Sequence, residues 1–309
     1  MALTTILGAG GTIGSELAKI LAAENRPLRL VARNPKPMSG AEAVTADLAD
    51  KEQTIRAVAG SEVVHLVAGL KYDTAVWREL WPRIMANTIE ACKRARAKLV
   101  FLDNVYMYGR VAGLMTEETA YNPCSRKGEI RAQIATMLMD EVKEGNLQAM
   151  IARAPDFYGP KTPNGVANVL GFEPMAKGSA ASWLVNAGVP HSLIFSPDAA
   201  RGVAMLADRD AAWNQVWHLP TTPAPPTGRE LITTAAKEFG REPKVRVLNR
   251  PMLKVAGWFN PLVGELHEML YQYDTPYLFD SSKFAREFGF VGTPYAEGIR
   301  ATAASYKTA

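Results

Sequence analysis

Two apolar textures alternate along the first half of the chain. Short runs, many of them rich in β-branched residues, read as strands: Leu3-Thr4-Thr5-Ile6-Leu7, Pro27 to Ala32, Ala43 to Leu48, Val63 to Gly69, Lys98 to Leu102 and Ala149 to Arg153. Between them, apolar positions recur at helical spacing. Leu17, Ile20 and Leu21 follow the first strand. Helices are predicted over about Asp50 to Ala59, Ala75 to Ala95 and Lys127 to Lys143. The last carries Ile130, Ile134, Met137, Leu138 and Val142 on one face. In the long helix, Trp77, Trp81, Ile84, Met85, Thr88, Ile89 and Cys92 form a stripe that is either core or a subunit contact, and Pro82 is placed to kink it. The run Val63 to Gly69 is almost wholly apolar, as a strand covered on both faces must be. Strands alternating with helices predict an α/β fold with a doubly wound parallel sheet.

After Gly159-Pro160 the pattern breaks into shorter elements punctuated by proline and glycine. Aromatics gather near the end: Trp258-Phe259, Tyr271, Tyr273, Tyr277, Phe279, Phe284, Phe288 and Phe290. This composition predicts a smaller C-terminal lobe with an aromatic core. The proline-rich stretch 219–226 is stiff and extended. Thr227, with Glu230 three residues on, forms a capping box at the start of a helix.

Composition adds limits rather than identity. The 309 residues are 48% apolar and 21% charged, ordinary for a globular protein. A net charge of +4, with scattered cations, gives no reason to expect a nucleic-acid partner. No run is long enough to span a bilayer, and the N-terminus enters a strand directly, so neither a membrane partner nor a signal peptide is expected. Cys92 and Cys124 lack metal-ligand spacing and fit reduced thiols in a cytoplasmic protein. No metal is expected.

The chemistry starts at Gly8-Ala9-Gly10-Gly11-Thr12-Ile13-Gly14, between the first strand and its helix. Strand, glycine turn and helix together form the setting in which backbone N–H groups and a helix N-terminus hold a dinucleotide pyrophosphate. The common Rossmann spacing fails, because Ile13 stands at its third glycine. The spacing Gly8-x-x-Gly11-x-x-Gly14 fits instead. The second strand ends at Arg33, where an acidic residue usually binds the ribose hydroxyls. A guanidinium there is suited to a 2′-phosphate, which argues for NADP, with NAD the alternative; the other reading is a solvated surface arginine.

The glycine spacing resembles the extended branch of the short-chain dehydrogenase/reductase superfamily, the epimerases, dehydratases and reductases. Further segments resemble the same branch across most of the chain. They are Asp103-Asn104-Val105-Tyr106-Met107-Tyr108-Gly109, Thr116-Glu117-Glu118-Thr119 with Pro123, Arg153-Ala154-Pro155-Asp156-Phe157-Tyr158-Gly159-Pro160, and Asp280-Ser281-Ser282-Lys283 with Phe288-Gly289-Phe290 and Glu297-Gly298-Ile299. The resemblance implies a Rossmann-type domain over 1–160, with 190–219 returning to it, and a mainly substrate-binding lobe over 161–309. It also implies cofactor contacts from Gly8, Gly11, Thr12, Ile13, Gly14, Asp47, Leu48, Ala68, Gly69 and Pro155.

The family's catalytic Tyr-x-x-x-Lys is replaced. Lys127 stands in place of Tyr and Arg131 in place of Lys, one helical turn apart, and Asn104 takes the Ser/Thr position. A lysine there can act as general acid or base, form a Schiff base or bind an anionic oxygen, and Arg131 can hold ribose hydroxyls. Asn104 can donate to a carbonyl oxygen through its amide. Tyr106, Tyr108 and Tyr158 are the nearest phenols by family position. The alternative is that Lys127 and Arg131 are solvated charges on an exposed helix face. Two functions follow: an NADP-dependent oxidoreductase or epimerase/dehydratase-like enzyme acting on a small carbonyl- or hydroxyl-bearing substrate, or a catalytically silent NADP-binding sensor. A homodimer built on the helices near 75–95 and 127–143 is a further expectation, with Trp77, Trp81 and Met137 to Met139 supplying apolar surface.

Overall fold

The computed structural model describes residues 2–307. Seven parallel strands carry the first of two compact units, which takes the chain up to residue 107 and then 126–153 and 199–219. They are β1 (Leu3–Leu7), β2 (Leu28–Ala32), β3 (Ala41–Thr45), β4 (Ser61–Leu66), β5 (Lys98–Asp103), β6 (Ala149–Arg153) and β7 (Val216–His218). Their order is β7-β6-β5-β4-β1-β2-β3. The order reverses between β1 and β4, and in such sheets ligands bind beyond the strand ends at that reversal.

Both faces of this sheet are covered. Leu99, Phe101, Leu66 and Ile151 pack into one core with Trp81, Ile84, Ile134 and Leu138. Their neighbours of opposite parity, Val100 and Met150, are equally buried. Alternate residues of a strand point to opposite faces, so neither face of the central strands meets water, while the edge strand β3 is largely exposed. The unit's helices include α1 (Thr12–Ala23), α2 (Lys51–Val58), α3 (Thr74–Ala95) and α4 (Arg126–Lys143), and most of a further helix over Ser196–Ala207. Asp50 and Asp73 cap α2 and α3 by accepting backbone N–H bonds. α3 is continuous through Pro82.

Trp77 and Trp81 are buried in this unit's own core. The stripe on α3 is therefore core, and these two rings are not available as subunit-contact surface. Met137 and Met139 also pack against the core, only partly covered.

His65 is the penultimate residue of β4, almost fully buried, with Nδ1 lacking a hydrogen-bond partner. Burial, with the charge of Arg26 adding to it, pushes its imidazole down to about 4. The unfolded chain binds a proton near pH 6.5 that the folded chain refuses until about pH 4, so stability is lost as pH falls through that window. The loss due to this group approaches about 3 kcal/mol. Urea unfolding of wild type and His65→Leu at pH 7 and pH 4.5 checks this: the variant should lack that part of the acid destabilisation. An equal decline in both proteins would show that other groups cause it.

The second unit takes residues 108–125, 154–198 and 220 onward. Short parallel pairs join 156–158 to 193–195, 181–184 to 245–248 and 114–115 to 278–279. Tyr158, Phe172, Trp183, Leu231, Ile232, Tyr273 and Ile299 belong to its core. Helix α5 (Gly228–Glu238) starts with the predicted capping box between Thr227 and Glu230. Helices α6 (Arg250–Gly257) and α7 (Pro261–Leu266) follow. Tyr271, Tyr273, Tyr277, Phe279 and Phe284 are buried, as the aromatic-core reading requires. Trp258 and Phe259 are not: they are 73% and 83% exposed, because both stand in the turn between α6 and α7.

Candidate active site

The turn after β1 sits at the reversal of strand order. Val67 N–H donates to Leu7 O, and Gly8 N–H to Val31 O, tying the turn to the strands on either side. Two of its glycines are demanded by the protein itself. Gly8 has φ +96°, and a Cβ there would lie 2.5 Å from the Cα of Ala68. A Cβ on Gly14 would lie 2.5 Å from Gly8 O, inside the first turn of α1. Gly10 and Gly11 differ. Both are exposed, and their nearest contacts to a Cβ would be an ordinary 3.9 Å and 3.5 Å. Nothing in the protein excludes a side chain there; a group seated on the turn would.

Thr12 opens α1, with Ile13 buried behind it. No side chain caps this helix and its first turn holds no carboxylate, so its positive end is not neutralised. Ala68 and the exposed Gly69 follow β4, with no atom near a Cβ on Gly69. Asp47 is exposed, its carboxylate accepting from Ala49 N–H, and Leu48 beside it is buried. Arg33 directly follows β2, exposed, with no ion pair among the described residues. These groups all belong to the first unit, and together they fit a dinucleotide.

The altered catalytic positions lie in the first two turns of α4. Lys127 has no exposed surface. Its Nζ donates to Thr74 Oγ1 at 2.8 Å and stands 4.7 Å from the centre of the Tyr72 ring. An ammonium taken out of water must be compensated, and a hydroxyl with an aromatic face supplies part of that. Arg131 is 3% exposed. Its Nε donates to Asp103 Oδ1 at 2.7 Å, and Nη2 contacts the same oxygen. The guanidinium lies 4.5 Å from the centre of the Trp81 ring system and 5.0 Å from that of Phe101. The reading of these two residues as solvated surface charges is therefore overturned. Arg131, read as able to hold ribose hydroxyls, has its charge engaged by Asp103 and is walled in by aromatic rings.

Asp103 was not foreseen as part of this cluster. It ends β5, and its register partner on β6 is Arg153, which is fully buried with Nε 3.7 Å from Asp103 Oδ2. That is ion-pair range without a hydrogen bond. The available signal was a charged residue closing each of two wholly apolar runs. Asn104 N–H donates to Asp103 Oδ1, and Asn104 Oδ1 accepts from Tyr106 N–H. This engages the amide oxygen and leaves its NH2 group to donate. The half-buried Tyr106 ring lies parallel to Trp77.

In the second unit, Pro155 is buried in the link after β6. Tyr158 is 1% exposed, packed on Phe195 and Tyr295, its hydroxyl without a hydrogen bond. Burial drives that phenol well above its ordinary range. Tyr108 is likewise 1% exposed, which leaves the half-buried Tyr106 as the most accessible of the three phenols. Asp156 instead anchors a polar cluster. His191 Nε2 lies 3.0 Å from Asp156 Oδ2, Tyr273 donates to the same oxygen at 2.8 Å, and the imidazole stacks between Tyr273 and Tyr277. No local spacing announces a cluster assembled from three separate segments.

Comparison with known proteins places this geometry. The fold is similar to that of UDP-glucose 4-epimerase from Thermus thermophilus, solved in complex with NAD, at 19% identity over 99% of both chains with a TM-score of 0.80. It is similar to dTDP-glucose 4,6-dehydratase from Streptomyces venezuelae, at 17% identity over 99% of this chain and 97% of that one, TM-score 0.80. An uncharacterized protein of Sinorhizobium fredii (strain NBRC 101917 / NGR234), y4nL, is 25% identical over 86% of this chain and 85% of its own length. Residues 4–217 match the NAD dependent epimerase/dehydratase family, and the chain is a member of it.

Proposed function

We propose that this chain is a nicotinamide-dinucleotide-dependent enzyme of the epimerase/dehydratase type, acting on a small carbonyl- or hydroxyl-bearing substrate, with Lys127 at the proton-transfer position. The observation that carries this reading is the buried ammonium of Lys127 at the start of α4, bonded to Thr74. A lysine there is costly for the fold to keep. The relatives' cofactor and the open glycine turn support the dinucleotide. Gly8 to Gly14, the start of α1 and Arg33 would hold it, and its nicotinamide would supply hydride transfer.

The protein's own part is the proton. To reach a reacting oxygen, Nζ must give up its contacts with Thr74 and Tyr72 and the residues covering it must part. A protonated Nζ would then stabilise a developing alkoxide, while Asn104 donates to a carbonyl oxygen through its amide. The silent-sensor reading draws on one observation: Arg131 is locked to Asp103, as a structural residue would be. Turnover assays across carbonyl, sugar-nucleotide and enone substrates separate the two. Tight dinucleotide binding without turnover on any of them would favour the sensor.

Arg33 sets the cofactor preference in this reading. A charge-assisted bidentate bond to a 2′-phosphate contributes about 1.5–3 kcal/mol, so NADPH should bind about tenfold or more tightly than NADH. Arg33→Asp should invert the order. Calorimetric titrations giving equal affinities for the unmodified protein would refute it.

The open glycine turn has its own test. Gly11→Ala adds a Cβ that the protein accommodates at 3.5 Å, so melting should hardly move. A dinucleotide seated on the turn would meet that methyl and lose about tenfold or more in affinity. Unchanged affinity would place the pyrophosphate elsewhere.

A further inference from the structure

Helix α6 has an unusual outer face. Leu253 points into the core of the second unit, as one residue of a surface helix should. Yet Met252, Val255 and Phe259, at i, i+3 and i+7, are 49%, 51% and 83% exposed, joined by Trp258 at 73% and, on α7, Leu262 at 51%. The two helices meet backbone to backbone: a Cβ on Gly257 would lie 3.1 Å from the Cα of Gly264. That contact fixes the turn, and the two most exposed side chains stand at its tip.

The charge along α6 and the strand before it is positive, with Glu242 and Glu265 just outside that stretch. From 243 to 264 the sequence holds Lys244, Arg246, Arg250 and Lys254 and no carboxylate. Arg250 is engaged with Asp274, while Lys244, Arg246 and Lys254 are exposed. A patch this apolar marks an interaction surface. Two copies of this chain meeting through it about a twofold axis would set these cations against one another. An anionic bilayer surface complements both features, with Trp and Phe at the depth of the headgroups and the cations among the phosphates.

We propose that the α6–α7 tip docks this protein peripherally on anionic phospholipid membranes. None of the described helices is long and apolar enough to cross a membrane, which agrees with a surface-bound mode. The expectation of no membrane partner rested on spanning segments alone; this inference departs from it. It is independent of the catalytic reading above.

Vesicle flotation tests it, using phosphatidylcholine alone and an equimolar mixture with phosphatidylglycerol. The full chain should float with the mixture and not with phosphatidylcholine alone. Brominated acyl chains should quench its tryptophan emission. The other five tryptophans, Trp77, Trp81, Trp183, Trp213 and Trp217, are at most 6% exposed, so the signal reports Trp258. Phe259→Ser should lower the partition about tenfold or more through lost apolar contact. Lys254→Glu should do so through reversed charge, and added salt should mimic it. Both residues are exposed, so neither change disturbs the core. Absence of flotation at low salt, or flotation that survives Phe259→Ser without quenching, overturns the proposal. A wild-type dimer that Phe259→Ser converts to monomer gives the face to a second copy and overturns it too. So does a stoichiometric soluble partner bound through Phe259 while vesicles are ignored.

Discussion

Lys127→Met should reduce turnover by about 10²–10⁴-fold, the usual range for removing a general acid or base, with dinucleotide affinity nearly unchanged. Methionine keeps the length and the helix preference while deleting charge and donor. The residue it replaces is fully buried beside Tyr72 and Thr74, surroundings that a thioether also satisfies. Stability should therefore hold or rise, since an apolar side chain removes the cost of burying an ammonium. The glycine turn lies in a separate stretch of chain, so the cofactor should bind as before. Steady-state kinetics, dinucleotide titration and melting on one preparation give the signature: kcat lost, affinity kept, stability kept. Full activity in the variant would end the assignment and direct attention to Tyr106. Loss of stability together with activity would make Lys127 a structural residue.

Asp103→Asn should cost about 3–5 kcal/mol of stability. Asp103 is the carboxylate between two buried guanidiniums, and asparagine keeps its shape while leaving Arg131 and Arg153 less compensated. Urea unfolding should show a lower midpoint with an unchanged m value. Arg131→Met added to Asp103→Leu should cost less than the two changes summed, because removing both partners leaves one stranded charge fewer. A loss under about 1 kcal/mol for Asp103→Asn would mean that the two arginines meet their compensation elsewhere.

Much of the first unit was legible because its signals are local. Most strands are short apolar runs, the main helices are periodic, and the glycine turn is contiguous; β3, expected over Ala43 to Leu48, lies at Ala41–Thr45 with Glu42 inside it, and the three-residue β7 was too short to read as a strand. The strand predicted over Val63 to Gly69 is observed at Ser61–Leu66, because the chain leaves the sheet at the turn where Ala68 meets Gly8. What escaped was decided across the chain. Asp103 meets Arg153 only through strand register, and meets Arg131 only through the seating of α4 on the sheet. The burial of Lys127 depends on Tyr72 and Thr74, from the start of a different helix. Tyr158 looked catalytic by its place in a motif, but a position in sequence does not say which way a ring faces. Trp258 and Phe259 mislead for a related reason: aromatic composition predicts a core, while a turn between two short helices presents the same rings outward.

The seventh strand has a consequence for synthesis. β6, buried along its whole length in the finished sheet, pairs with β5 on one side and with β7 on the other. At the ribosome, Arg153 emerges about 60 residues ahead of Val216, an interval of several seconds at ordinary elongation rates. Throughout that interval β6 offers a bare row of N–H and C=O groups on an apolar ribbon, the feature that invites pairing between nascent chains. Completion of the dinucleotide-fold sheet is therefore timed by the arrival of Val216–His218.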